Sequence, residues 1–111
     1  MSADIPVKAQ FAAYNAHDID AFLSCFTDDF KGYRMPAESP STTGKASLRA
    51  FYLNHRFNNP ELRAELLSRI VLGNKVFDHE LIYGLSPEPL ESVAVFEVKD
   101  NLIATAWFYF P

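Results

Sequence analysis

The densest group of chemistry-bearing side chains in this 111-residue sequence is Asp78-His79-Glu80. A histidine near neutral pKa serves as general acid or base, and flanking carboxylates would be natural partners for a metal. On a strand, however, successive side chains point to opposite faces, so both carboxylates turn away from the imidazole. A shared metal would need a bulge, and no second histidine lies nearby, so no metal site is expected. Glu80 is expected on the outer face, paired with Arg63 or Arg69; a one-residue slip would bury Glu80 and expose His79 instead. Tyr14 ends an apolar helical stripe, where a tyrosine is either core or a hydrogen-bond donor to developing negative charge. His55 and Arg56 close another helix and complement its dipole, and Arg56 is also within reach of an anionic substrate. Cys25, among apolar neighbours on a short helix, reads as an inert buried thiol. No Ser-His-Asp or Cys-His set, glycine-rich phosphate loop or basic aromatic stripe can be assembled from these residues.

The elements that must position these groups change character midway. Asp4 is expected to cap a first helix, with Pro6 tolerated in its opening turn and Val7, Phe11 and Tyr14 forming one stripe. Asp18 caps a short second helix carrying Ile19, Phe22, Leu23 and Phe26 at three- and four-residue spacing. A short strand around Phe30 and Tyr33 and the loop PAESPSTTG follow. A third helix from about Lys45, capped by Thr42 or Thr43, presents Leu48, Phe51, Tyr52 and His55 until Asn58-Asn59-Pro60 stops it. From Glu61 the period becomes two: a strand over 62–72, the hairpin turn Gly73-Asn74, a returning strand over 75–84, a third over 92–99, the turn Asp100-Asn101 and a closing strand over 102–110. Helices followed by an antiparallel meander predict an α+β domain.

Composition sets the outer bounds. At 49% hydrophobic residues over 111 positions the chain is a single globular domain, residues 1–111, since two cores would each be too small. Fourteen acidic residues against 10 basic ones give a net charge of −4, which argues against a nucleic-acid partner held by phosphate contacts. No apolar run spans a membrane, and MSADIPVKAQ lacks the basic and apolar regions of a signal peptide, so a cytoplasmic protein without membrane partners is expected. One cysteine excludes an intrachain disulfide.

Three stretches together carry a resemblance. AQFAAYNAHDIDAFLSCFTDDF resembles the helix–helix–strand opening of nuclear transport factor 2-like, or SnoaL-like, domains, the superfamily that includes ketosteroid isomerase. RIVLGNKVFDHELIYGL resembles the middle hairpin of steroid isomerase-like members, and VFEVKDNLIATAWFYF the closing hairpin. The resemblance implies a cone: a bent antiparallel sheet around helices, an apolar pocket between them, and dimerisation through the outer sheet face. Tyr14 matches the oxyanion-donating tyrosine of ketosteroid isomerases. Their general base, an aspartate before a proline, corresponds to Tyr33-Arg34-Met35-Pro36, which has no carboxylate, and their second oxyanion donor to Ala94. Classical steroid isomerisation is therefore not expected.

If Ala94 faces the pocket as its counterpart does, alternation puts Phe96 and Val98 there too. The matching parity brings in Phe77, His79, Leu81 and Tyr83, and the resemblance adds Ala106, Phe108 and Phe110. Tyr33 and Arg34 would stand at the mouth, with Arg56 the candidate contact for an anionic substrate. Tyr14 and His79 are thus the expected catalytic pair, and no cofactor is implied. Thr105, Trp107 and Tyr109 fall on the outer face, where a homodimer would cover them. The implied function is an isomerase, cyclase or hydrolase acting on a small hydrophobic carbonyl or cyclic compound. The same residues allow a non-catalytic binding module for a small hydrophobic molecule, or a dimeric partner-docking domain.

Overall fold

The computed structural model describes residues 2–111, and its core gathers the apolar residues of both halves of the chain. Helix α1 (Asp4–Ala16) starts at Asp4 itself, so Asp4 does not cap it; its carboxylate instead binds Lys8 one turn on, at 3.0 Å. Asp18 caps α2 (Ile19–Leu23) as expected, accepting from the Ala21 N–H at 3.1 Å. Phe26, expected on that helix, begins β1 (Phe26–Arg34), which runs nine residues rather than as a short piece. The loop after it contributes a two-residue strand, β2 (Thr42–Thr43), before α3 (Gly44–His55).

Four long strands complete the chain: β3 (Arg63–Leu72), β4 (Lys75–Tyr83), β5 (Leu90–Lys99) and β6 (Leu102–Tyr109). The sheet order is β2-β1-β6-β5-β4-β3, with β3 to β6 an antiparallel meander and β1 parallel to β6. Both sequence-marked turns form, and Asp100 and Asn101 each adopt positive φ, the backbone a tight hairpin turn requires. Register shifts between Leu66 and Ser68 and between Glu97 and Val98 insert bulges, which bend the sheet toward the helices.

Two devices fix the helices inside that curve. The Asn15 amide makes two bonds to Ala64 on β3, donating to its carbonyl at 3.0 Å and accepting from its N–H at 2.7 Å. His17, the left-handed cap of α1, donates to the Leu62 carbonyl at 2.8 Å and stacks on Phe57. Phe22, Phe26, Phe30, Tyr52 and Phe57 then pack ring against ring between α2, α3 and β1, with Phe22 and Tyr52 centroids 4.6 Å apart. Gly84, at φ +98°, lies so close to Glu61 that a Cβ there would sit 2.5 Å from its carbonyl oxygen, so the end of β4 accepts only glycine.

The outer sheet face is unusually apolar. Ile70 and Leu72 are 63% and 68% exposed, and Leu67 and Tyr109 are exposed as well. No helix among the described residues is long and apolar enough to cross a membrane.

Candidate functional site

Between the concave sheet face and the helices lies a cavity of about 200 Å3. Its wall is built from Phe11 and Tyr14 of α1, Phe51 and Tyr52 of α3, Phe30 of β1, Ala94 and Phe96 of β5, and Phe108 and Phe110 at the chain's end. The placement of Tyr14, Arg34, Arg56, Ala94, Phe96, Phe108 and Phe110 on the cavity follows the sequence expectation.

The expectation for β4 is corrected by one residue. Asp78 lies directly opposite Ala94, and Glu80 opposite Ser92, so in an antiparallel pair these residues share the inner face. His79 therefore points outward with Phe77, Leu81 and Tyr83, none of which lines the cavity. His79 is 38% exposed at its ring and donates to the Glu91 carboxylate at 2.6 Å; Tyr83 donates to Glu65 at 2.8 Å. Tyr33 is likewise on the outer face, stacked on Trp107. The error lies in the cross-strand match: Ala94 does line the cavity, but its partner on β4 is Asp78, so the parity expected for β4 is off by one and its inner positions carry two carboxylates.

Those two carboxylates differ in environment. Asp78 is fully buried but fully paired: Arg69 grips it with two bonds, of 2.7 and 2.9 Å, in the forked geometry suited to a carboxylate. That hydrogen bonding also raises the Arg69 pKa. Arg69 is directly opposite Asp78 across the Gly73-Asn74 turn. Counting outward from that turn in the sequence finds this pair, the signal by which the inner face of β4 was recoverable.

Glu80, two residues on, is 9% exposed and makes no hydrogen bond or ion pair among the described residues. The residue lines the cavity. Burial, and then the neighbouring Asp78 charge, lift its pKa to about 7 against the opposing pull of Arg69. A carboxyl poised there exchanges protons in either direction near neutral pH.

Two phenols line the same space. Burial pushes the Tyr52 hydroxyl up to about 12 and holds Tyr14 higher still, so both remain O–H donors under ordinary conditions. Glu80 raises both and Arg56 opposes it in both, so each phenol lies within electrostatic reach of these two groups. Tyr14 and Tyr52 meet edge to face at 6.2 Å between centroids. Gln10 and Ser92 complete the polar inventory of the interior, and Arg34, Ser41 and Thr42 add polar groups toward the β1–β2 side. Among the described residues no three His, Cys, Asp or Glu side chains gather as a metal centre would require. Chemically the cavity lining offers one carboxyl that titrates near neutrality and two neutral phenol donors, in largely apolar walls.

The fold recurs in solved structures. An uncharacterised cystatin-fold protein from Novosphingobium aromaticivorans is 28% identical, covers 97% of each chain and superposes with a TM-score of 0.87. A protein provisionally described as a ketosteroid isomerase, from Kribbella flavida, is 19% identical over 98% of this chain and 77% of its own, with a TM-score of 0.84. A computationally designed 17-OHP binder is 17% identical over 100% and 95%, also with a TM-score of 0.84. No curated protein matches the sequence at a significant level. Residues 7–106, nearly the whole length, match the SnoaL-like domain, and the helices-then-sheet order agrees: the chain belongs to the SnoaL-like domain family.

Proposed function

We propose that this protein catalyses proton transfer on a small, largely apolar carbonyl compound, in the manner of an isomerase. The observation that carries this reading is Glu80: a buried side chain, without a hydrogen-bond or ion-pair partner among the described residues, on a cavity that Tyr14 and Tyr52 also line. As carboxylate, Glu80 takes a proton from the carbon beside the carbonyl. The electron pair moves onto the carbonyl oxygen, where a phenol O–H receives the developing charge. Glu80 then returns the proton to another carbon, and no cofactor is consumed. The base absent from the stretch before Pro36 is thus supplied from β4. A cavity of about 200 Å3 suits a molecule of one or two rings, since about 150 Å3 accommodates benzene. The structural likeness to a provisional ketosteroid isomerase supports the reaction class.

Proton exchange tests this without knowledge of the true substrate. Small cyclic ketones incubated in heavy water with the wild-type chain should exchange the hydrogens beside their carbonyl, and Glu80→Gln should not promote it. Equal exchange by both would reject the assignment. A second reading, binding without chemistry, draws on the aromatic walls and on the likeness to a designed 17-OHP binder; ligand-induced stabilisation with no exchange would favour it. Under either reading a homodimer through the outer face would cover Ile70, Leu72 and Tyr109. Sedimentation at a monomer mass near 12.6 kDa at micromolar protein would reject that dimer.

A further inference from the structure

We propose that the ligand carries a carboxylate, held at the cavity by Arg34 and Arg56. This deepens the reading above and rests on it, because it names the chemical class that the same cavity receives.

The observation is an imbalance of partners. Six of the 10 basic residues, Lys8, Lys45, Arg49, Arg69, Lys75 and Lys99, are paired with carboxylates. Of the four basic side chains without a carboxylate partner among the described residues, Lys31, Arg34, Arg56 and Arg63, only Arg34 and Arg56 line the cavity. The Arg34 guanidinium lies 4.2 Å over the Phe110 ring, a contact that leaves its edge N–H groups available. Arg56 is half-buried, lies 4.8 Å over Phe51, and spends one N–H on the His55 carbonyl at 2.8 Å. Each guanidinium is therefore braced by an aromatic face while its remaining donors have no anion.

The two come from different elements and line the same cavity. Arg34 ends β1 beside Phe108 of β6, and Arg56 immediately follows α3. The carboxylate side chain among the lining residues is Glu80, and the raised pKa that burial gives it leaves it largely neutral below pH 7. In a chain of net charge −4 the cavity is thus a locally positive place with apolar walls. A flat anion with a small apolar body answers both features: its ring fills the aromatic interior, and its two oxygens match the guanidinium fork. A lone ammonium or a neutral molecule would leave both arginines unsatisfied.

Benzoate and benzamide make the discriminating pair, since they share a ring and nearly a shape and differ in charge. Binding is read by titration calorimetry at low ionic strength on the wild-type chain and on Arg34→Met, Arg56→Met and the double variant, which keep aliphatic bulk. Benzoate is expected to bind at least about tenfold more tightly than benzamide, as charge-assisted bonds do. Each variant should reduce that preference and the double variant abolish it. Unchanged benzamide affinity in the variants shows that the cavity is still formed. Equal affinities in the wild-type chain, binding of neither probe, or a preference that survives the double variant would overturn the proposal. Acid–base catalysis is judged separately by Glu80-dependent exchange: benzamide binding with no benzoate preference would leave that reading standing.

Discussion

Glu80→Gln should make the protein more stable at high pH and leave it nearly unchanged at low pH. Glutamine keeps the size of the side chain and removes its ability to ionise. In the unfolded chain Glu80 loses its proton around pH 4.5, whereas in the folded protein burial and Asp78 hold the proton until about pH 7. Below pH 4.5 both states are protonated, so the carboxyl favours neither. Between the two values the unfolded state gains by ionising while the folded state does not, so stability falls as pH rises, and above pH 7 the penalty is constant. The gap of roughly 2.5 pKa units corresponds to about 3 kcal/mol. For a domain of this length that is a melting-temperature difference on the order of 10 °C. Urea unfolding of both proteins from about pH 4.5 to about pH 8.5 measures it, because the other titrating groups cancel in the difference. Parallel stability profiles would refute the reasoning, since they would mean that Glu80 ionises in the fold as freely as in water. The cost also accounts for the residue's presence: a protein selected for stability alone gains nothing from a partnerless carboxyl there.

Further outcomes follow from the same geometry. Tyr14→Phe and Tyr52→Phe should each leave the fold intact, and loss of the phenol that receives the oxyanion should lower proton exchange by about a hundredfold or more; no loss in either variant would remove the donors from the mechanism. His79→Ala should leave exchange within about twofold of wild type, because the ring is on the outer face, and a hundredfold loss, the size typical of a general acid–base group, would return it to the site. Asp78→Ala should cost about 1–3 kcal/mol in urea unfolding by leaving half-buried Arg69 without its carboxylate, and adding Arg69→Met should recover part of that loss.

The helical half and its meander were legible because their signals are local. Asp18 caps its helix, Gly73-Asn74 and Asp100-Asn101 turn their hairpins, and of the stripe read by spacing on α1 Val7 is buried while Phe11 and Tyr14 line the cavity. Less legible was β1, whose polar residues Asp28, Asp29 and Lys31 hide a nine-residue strand stabilised by pairing with β6, about 75 residues later in the chain. Local propensity carries no information about such a partner.

For the site, the sequence by itself determined which residues are apolar and periodic; that Tyr14, Phe96, Phe108 and Phe110 line a pocket came from the family resemblance, and Phe11, Phe30, Phe51 and Tyr52, which share it, were not assigned to it. Which acid–base group enters the cavity was decided only by tertiary structure. His79 and Glu80 are adjacent on one strand, and a strand sends neighbours to opposite faces, so a single register fixes which is inside. Hydrophobicity could not choose, because β4 has one apolar face against solvent and two carboxylates within. The pairing of Asp78 with Ala94 chose, and Arg69, folded back across the hairpin onto Asp78, makes that register tolerable.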